Sequence, residues 1–299
     1  MPDQGRNHLV NETCRWRSIP ASLLSEKGIV HLREPAGSDL SGVLDRLRNG
    51  EYDKPFVTDD GTSRRLHFNF RFVQSEMNLQ DPDTLSFAYT RKMMAFLLFA
   101  PRPKHVVIIG LGGGSLTKFC YRGLPRTRVT TIEIDEDVIG FGELFEIPPP
   151  DARLRIVHAD ATEYFARSEE QADVVMLDGC DYDGVSPALC EAAFYRNVRD
   201  RLSAKGVLVA NLIGRSGRSL ALQRLIGEVF GGRTMTMDVR GGGNRLMFAF
   251  NEADFAPDWQ AIREEARKLE HRHRLDFPGF MRKLQYSYRG PAADRKAAR

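Results

Sequence analysis

Cysteine is scarce: 299 residues carry four, Cys14, Cys120, Cys180 and Cys190. None forms a CxxC pair, and no histidine is clustered beside them. That excludes a thiolate metal centre, and a chain this long does not need a disulfide framework. Charge of one sign is also missing. The formal net charge is +3, too small to imply nucleic-acid binding. No stretch of about 18 apolar residues occurs, so no membrane-spanning helix is expected. No apolar run follows the first basic residues either, so a reducing cytoplasmic location is the expectation. Internal repeats and low-complexity segments are absent. What is present, 42% hydrophobic and 28% charged residues, is the balance of an ordinary globular protein.

The chain reads as three parts. Residues 1–88 are β-rich. A strand is expected at Gly28–Arg33 and a helix at Ser41–Arg48. The Asp60-Gly61 pair predicts a hairpin turn, and Phe68–Met77 is a further extended stretch. Asp81-Pro82-Asp83 marks a helix start, leading into a buried helix over Leu85–Phe99 that Pro101 and Pro103 end. Residues 89–253 alternate strands with helices. Strands are expected at His105–Ile109, Val129–Ile134, Arg155–His158, Asp173–Leu177 and Gly206–Leu212. The intervening helices are expected at Thr117–Arg122, Glu136–Phe145, Ala161–Ala166 and Pro187–Leu202, with a fifth at Leu220–Phe230. An antiparallel pair, Thr234–Val239 and Arg245–Phe250, closes the series. Such βα units build a parallel sheet covered on both faces. The fold class is therefore α/β, a Rossmann-like doubly wound sheet of the methyltransferase type with a small N-terminal antiparallel β region. Residues 254–299 form a helical extension and tail. From Arg263 to Arg299 there are 11 Lys or Arg against 5 Asp or Glu. This is either a solvated face or a surface for an anionic partner.

Four features carry chemistry. The first is strand, glycine turn, helix, with the turn Gly110-Leu111-Gly112-Gly113-Gly114. Glycines let a backbone approach a ligand, and a helix N-terminus offers unpaired N–H groups. The same pattern also serves as a tight turn without a ligand. The second is Glu133, at the end of the next strand, where a carboxylate can accept hydrogen bonds from ribose hydroxyls or simply face solvent. Asp135 beside it is expected to cap the following helix. The third is Asp160, after strand three, either an acceptor for an adenine amino group or an N-cap. The fourth is the acidic loop Asp178-Gly179-Cys180-Asp181-Tyr182-Asp183. Three carboxylates beyond the carboxyl end of a strand attract a cationic amine, and one of them can take its proton; the alternative is a polar turn whose acids cap backbone amides. Cys180 is not expected to be a nucleophile.

Together these pieces resemble the spermidine synthase, or polyamine aminopropyltransferase, family. The likeness runs from about Arg65 to Gly214. Tyr89-Thr-Arg-Lys-Met-Met-Ala, Val107-Ile-Ile-Gly-Leu-Gly-Gly-Gly, Ile132-Glu-Ile-Asp, Asp160-Ala161, Asp178-Gly-Cys-Asp181 and Leu202-Ser-Ala-Lys-Gly-Val-Leu carry it. It implies a transferase that moves an aminopropyl group from decarboxylated S-adenosylmethionine to an amine such as putrescine, without a metal, as a homodimer. By that resemblance Glu133 holds the ribose and Asp160 the adenine, and Ile134 and Ala161 also contact the donor. Gly110, Gly112 and Gly113 would cradle the nucleoside. Asp178 would touch the donor and deprotonate the acceptor, Asp181 would anchor the amine and Tyr89 would line the pocket. Gln74 or Gln80 would supply a glutamine from the N-terminal strands. One departure matters. Family members carry Asp in the glycine turn, where Gly113 stands here, to hold the ammonium of the aminopropyl group. Its loss opens two alternatives: methyl transfer from S-adenosylmethionine itself, or a nucleoside-binding homologue without catalysis.

Overall fold

The structure is a computed structural model that describes residues 16–35, 37–181, 184–185, 187–213, 217–241 and 243–288. For residues 180, 181, 184 and 185 the description stops at the backbone. The first unit is a five-stranded antiparallel meander: β1 (Arg17–Pro20), β2 (Ile29–Leu32), β3 (Phe56–Asp59), β4 (Ser63–Asn69) and β5 (Phe72–Asn78). Strand β1 lies in a segment too polar and weakly patterned to announce itself. Its partner β2 supplies the apolar face, pairing Ile19 with Val30. Asp60 accepts from the amides of Thr62 and Ser63 at the β3–β4 turn, where Gly61 has φ +84°. Helix α1 (Leu40–Asn49), N-capped by the Asp39 carboxylate, buries Val43, Leu44 and Leu47 against this sheet.

Helix α2 (Ala88–Met93) follows, continuing as a 3-10 turn over Met94–Leu98. The expected single helix over 85–99 is thus shorter and changes pitch. Residues 94–98 are all buried, and packing rather than helix propensity sets their backbone.

The second unit is a seven-stranded sheet. Its strands are β6 (His105–Ile109), β7 (Arg128–Glu133), β8 (Leu154–His158), β9 (Ala172–Leu177), β12 (Leu202–Ile213), β13 (Thr234–Asp238) and β14 (Asn244–Phe250). Their order is β13-β14-β12-β9-β6-β7-β8. The five from β12 to β8 run parallel, whereas β14 and β13 close the other edge antiparallel. Between β9 and β12 lies a two-residue pair, β10 (Cys180–Asp181) and β11 (Gly184–Val185). The helices are α3 (Ser115–Gly123), α4 (Glu136–Gly140), α5 (Ala161–Arg167), α6 (Ala192–Arg201) and α7 (Gly217–Val229). The helix expected over 187–202 divides into a 3-10 turn, Pro187–Cys190, and α6. The helix expected over 136–145 is only α4, followed by turns that bury Phe141 and Phe145.

Strand periodicity sorts the core into two layers. Val106, Ile108, Val174, Met176, Val207 and Val209 face α3 and the 94–98 turn. Val107, Ile109, Val175, Leu177, Leu208 and Ala210 face the other way, onto α5, α6 and α7. The first layer is completed by two C-terminal helices. Helix α8 (Trp259–His273) looks nearly uniformly charged, yet Ile262, Ala266 and Leu269, at i, i+4 and i+7, are buried. Helix α9 (Phe277–Ser287) adds Phe277, Phe280, Met281 and Leu284. A narrow stripe of three residues is all that α8 needs, because α9 and the sheet supply the rest of the apolar surface. The basic residues beyond 288 lie outside the described residues.

The two units share a core in which Val57, Leu66 and Met77 meet Leu111, Val138 and Phe145. Lys118 of α3 is fully buried at this seam. Its Nζ donates to the carbonyls of Pro82 and Phe145, both at 2.7 Å, and approaches Met77 Sδ at 3.1 Å. Burial pushes its pKa down to about 8.

Candidate functional site

The chain enters the parallel sheet at its middle, runs outward through β7 and β8, and returns to lay β9 on the other side of β6. At such a switch point the connecting loops diverge and leave a crevice beyond the carboxyl ends of the strands. A cavity of about 860 Å³ lies there, roofed by the β4–β5 hairpin and the start of α2. Its volume falls within the range of small-molecule sites, about 300–1,000 Å³.

Its floor is the glycine turn. Gly110 has φ +94°, and a Cβ there would sit 2.6 Å from the Asp178 carbonyl oxygen. Only glycine lets the ends of β6 and β9 come this close. Gly112 also lines the cavity, whereas Gly113 does not. A Cβ at Gly113 would meet Ser75 Oγ at 2.7 Å and the Phe145 ring at 2.8 Å. Ser75 of β5 and Phe145 therefore seal the turn at this point. The sequence placed Gly113 with the ligand-facing residues; the packing turns it into a contact between the two units.

Glu133 closes the second strand, and its carboxylate is not a loose surface acid. Oε2 accepts from the Leu111 amide of the glycine turn at 2.8 Å, and Oε1 from the amides of Ile134 and Asp135 at 2.9 and 3.0 Å. An ionised carboxylate offers about four acceptor positions, so capacity for one more donor remains. Ile134 presents an exposed apolar surface on the same wall. Asp160 does cap α5, as one alternative held. Its Oδ1 accepts from the amide and hydroxyl of Thr162, both at 2.6 Å, and those bonds hold its pKa below the usual carboxylate range. It also lines the cavity with Ala161, so capping and ligand contact are compatible. Asp135 caps α4, as expected.

The opposite half of the cavity is built by parity. Residues 176 and 178 of the β9 run share a face, as do 209 and 211 of β12 and 244 and 246 of β14. Met176, Val209 and Leu246 belong to the α2-side core, so Asp178, Asn211 and Asn244 project toward α2. There Tyr89 Oη donates to Asp178 Oδ2 at 3.1 Å, and Asn211 Nδ2 donates to Asp178 Oδ1 at 2.8 Å. Asn244 Nδ2 in turn donates to Asn211 Oδ1 at 3.0 Å. Desolvation pushes the Asp178 pKa up to about 6 against the opposing pull of these two donors. A carboxylate so placed is ionised at neutral pH yet more basic than an exposed one, which suits proton transfer.

Of the two candidate glutamines, Gln74 lines the cavity and Gln80 does not. The side chain of Asp181, and Asp183, lie outside the described residues. Sequence reasoning missed Asn211, Asn244, Ser75 and Lys118. Asn211 carried a signal, a polar residue inside the apolar run Val207-Leu-Val-Ala-Asn-Leu-Ile. The other three gain their places only through contacts between distant segments.

Comparison with known proteins gives a consistent picture. The sequence profile of the spermine/spermidine synthase domain matches residues 86–212. The polyamine aminopropyltransferase of Neisseria meningitidis serogroup A is 34% identical over 247 residues, covering 81% of this chain and 94% of the relative. Among solved structures, spermidine synthase in complex with the transition state analogue AdoDATO superposes with a TM-score of 0.60. It is 21% identical and covers 82% of this chain and 85% of that one. Human methyltransferase-like protein 13, in complex with SAH, superposes with a TM-score of 0.56 at 22% identity, over 63% of this chain and 93% of that one. At these identities the superpositions speak to the fold.

Proposed function

Because the chain belongs to the polyamine aminopropyltransferase (spermidine synthase) family, we propose that it transfers an aminopropyl group from decarboxylated S-adenosylmethionine to a small amine such as putrescine. The observation that carries this reading is Asp178: a carboxylate raised to a pKa of about 6, held by Tyr89 and Asn211, opening on a cavity whose far wall bears Glu133 and Asp160. Glu133, with one acceptor position unused, takes a ribose hydroxyl. Ile134 and Ala161 flank the purine, and Asp160 accepts from its amino group. Gly110 and Gly112 allow the backbone close to the ligand, and Gln74 faces it from β5.

The reaction is a displacement at the carbon bonded to the sulfonium. The amine nitrogen forms the new C–N bond, the C–S bond breaks, and neutral methylthioadenosine leaves without needing an acid. The proton released from nitrogen passes to Asp178. Orientation of the two substrates contributes to the acceleration, about 7–11 kcal/mol in favourable cases. No metal enters this scheme. Asp181 as the anchor of the distal amine, a homodimer built through the N-terminal sheet, and a cytoplasmic location belong to the same reading. No described helix is long and apolar enough to cross a membrane.

The seal over Gly113 favours a second reading. The turn carries no acid to repel the carboxylate of intact S-adenosylmethionine, which makes methyl transfer chemically open. Incubation with each donor and a panel of amines, read by mass spectrometry, separates the two. Aminopropylated amine with methylthioadenosine supports the first reading. Methylated product with S-adenosylhomocysteine overturns it. Tight binding of methylthioadenosine with no product from either donor marks a binding protein.

A further inference from the structure

Side chains alternate along β5, and Met77 faces the core that the two units share. Ser75, two residues earlier, faces the same way, opposite Leu66 of β4. An apolar residue would extend that core; a serine stands there instead. It is 8% exposed, and its Oγ has no hydrogen-bond partner among the described residues. Glu76, on the other face, is tied to Arg65 at 2.7 Å. A nearly buried hydroxyl without a protein partner is costly unless something else bonds it. Ser75 lines the cavity, where a ligand can do so.

The glycine turn beneath it points to the part of the ligand concerned. Gly110 lies against the Asp178 backbone, the Leu111 amide donates to Glu133, and Gly112 lies under Ser75, whose Oγ would be 3.7 Å from a Cβ placed there. A donor with its ribose at Glu133 and its reacting carbon near Asp178 has to cross this turn. The chain on its sulfur then passes Gly112 and Ser75. The described lining carries four acids, Glu133, Asp135, Asp160 and Asp178, against one base, Arg240. Such a field favours a cation, which a hydroxyl meets with a lone pair. Resting on the reading of the cavity as the site of a sulfonium nucleoside, we propose that Ser75 is a specificity residue for the donor: its Oγ accepts a hydrogen bond from the ammonium at the end of the three-carbon chain. The hydroxyl is neutral, so it serves a donor with or without a carboxylate on the carbon that bears the ammonium. Preference between those two donors then comes from the surrounding acids.

The test is calorimetry on the full chain with Ser75→Ala, which removes only the hydroxyl, and with Ser115→Ala, which removes another hydroxyl from the cavity wall. Three probes separate the parts of the donor. Decarboxylated S-adenosylmethionine has both sulfonium and ammonium, the aminopropyl thioether of adenosine has only the ammonium, and methylthioadenosine has neither. Ser75→Ala is expected to weaken the first two about tenfold or more, as a lost hydrogen bond to a charged group does. It should leave methylthioadenosine affinity and the thermal midpoint unchanged, and Ser115→Ala should alter none of the three. An equal loss for all three probes makes Ser75 a packing residue of the turn and overturns the proposal. Unchanged binding of the two ammonium ligands overturns it as well, as does a loss that appears in Ser115→Ala instead. Binding needs no turnover, so the reaction is judged separately. If the wild type methylates amines with intact S-adenosylmethionine, the aminopropyl reading falls. Ser75 is then judged on intact S-adenosylmethionine against methylthioadenosine, because that donor carries the same ammonium.

Discussion

Asp178→Asn tests both the chemistry and the electrostatics of the site. The substitution keeps the shape and one acceptor oxygen for Asn211, turns an NH₂ toward Tyr89 Oη, which must then accept, and removes the charge. The Asp178 pKa is raised from 3.8 to about 6 by desolvation. A shift of about two units corresponds to about 3 kcal/mol held against the ionised form. The sign follows from proton linkage. The folded state binds the proton more tightly than the unfolded chain, so the penalty is absent below the unfolded pKa and grows as pH rises. It is complete once pH has passed the folded pKa. It amounts to about 0.5 kcal/mol at pH 4, about 1.5 at pH 5 and about 3 at pH 8. Asn carries no such penalty. The variant should therefore be more stable than wild type at pH 8, by roughly 6 °C in Tm at about 2 °C per kcal/mol, and nearly equal to it at pH 4. Turnover should fall by about 10²–10⁴-fold, the usual contribution of a positioned acid or base, with methylthioadenosine affinity preserved. Thermal melts across that pH range and single-turnover rates check both halves. A Tm difference that does not vary with pH would refute the desolvated carboxylate, and undiminished turnover would refute its role as proton acceptor.

Three further outcomes are expected. Gly110→Ala combines a φ of +94° with a Cβ 2.6 Å from the Asp178 carbonyl; it should cost about 1–3 kcal/mol of stability in chemical denaturation and should also depress activity. Glu133→Gln loses charge-assisted hydrogen bonds worth about 1.5–3 kcal/mol, so nucleoside affinity measured by calorimetry should drop about 10–100-fold while the fold survives. Gly113→Asp should not improve binding of the decarboxylated donor, because Ser75 and Phe145 occupy the space. It should instead destabilise the protein by about 1–3 kcal/mol. Improved donor affinity with unchanged stability would show that the seal at β5 is readily displaced.

Much of this protein was legible in its sequence because the signals are local. Continuous apolar runs such as Val106–Ile109 mark strands buried on both faces, and a glycine turn between strand and helix marks the switch-point crevice. Acids at strand ends fall on the ligand side of a parallel sheet whatever the rest of the chain does. These facts fixed the α/β fold and brought Glu133, Asp160 and Asp178 to one cavity. Composition also spoke, but less well. The charged segment 259–273 hides a three-residue stripe that buries only because α9 lies beside it.

What only the tertiary structure decided is which group each polar atom faces. Gly113 belongs to the glycine turn by sequence, yet contact with Ser75 and Phe145, 38 and 32 residues away, removes it from the cavity wall. Asp178 is one acid among three in its loop until Tyr89, 89 residues earlier, and Asn211, 33 residues later, close on its two oxygens. Hydrogen-bond partners and desolvation depend on distances across the fold, whereas strand and turn preferences depend on neighbours along the chain. The sequence therefore determined where a nucleoside site would form. Burial, with contacts from α2 and β12, decided that Asp178 is held above the usual carboxylate range.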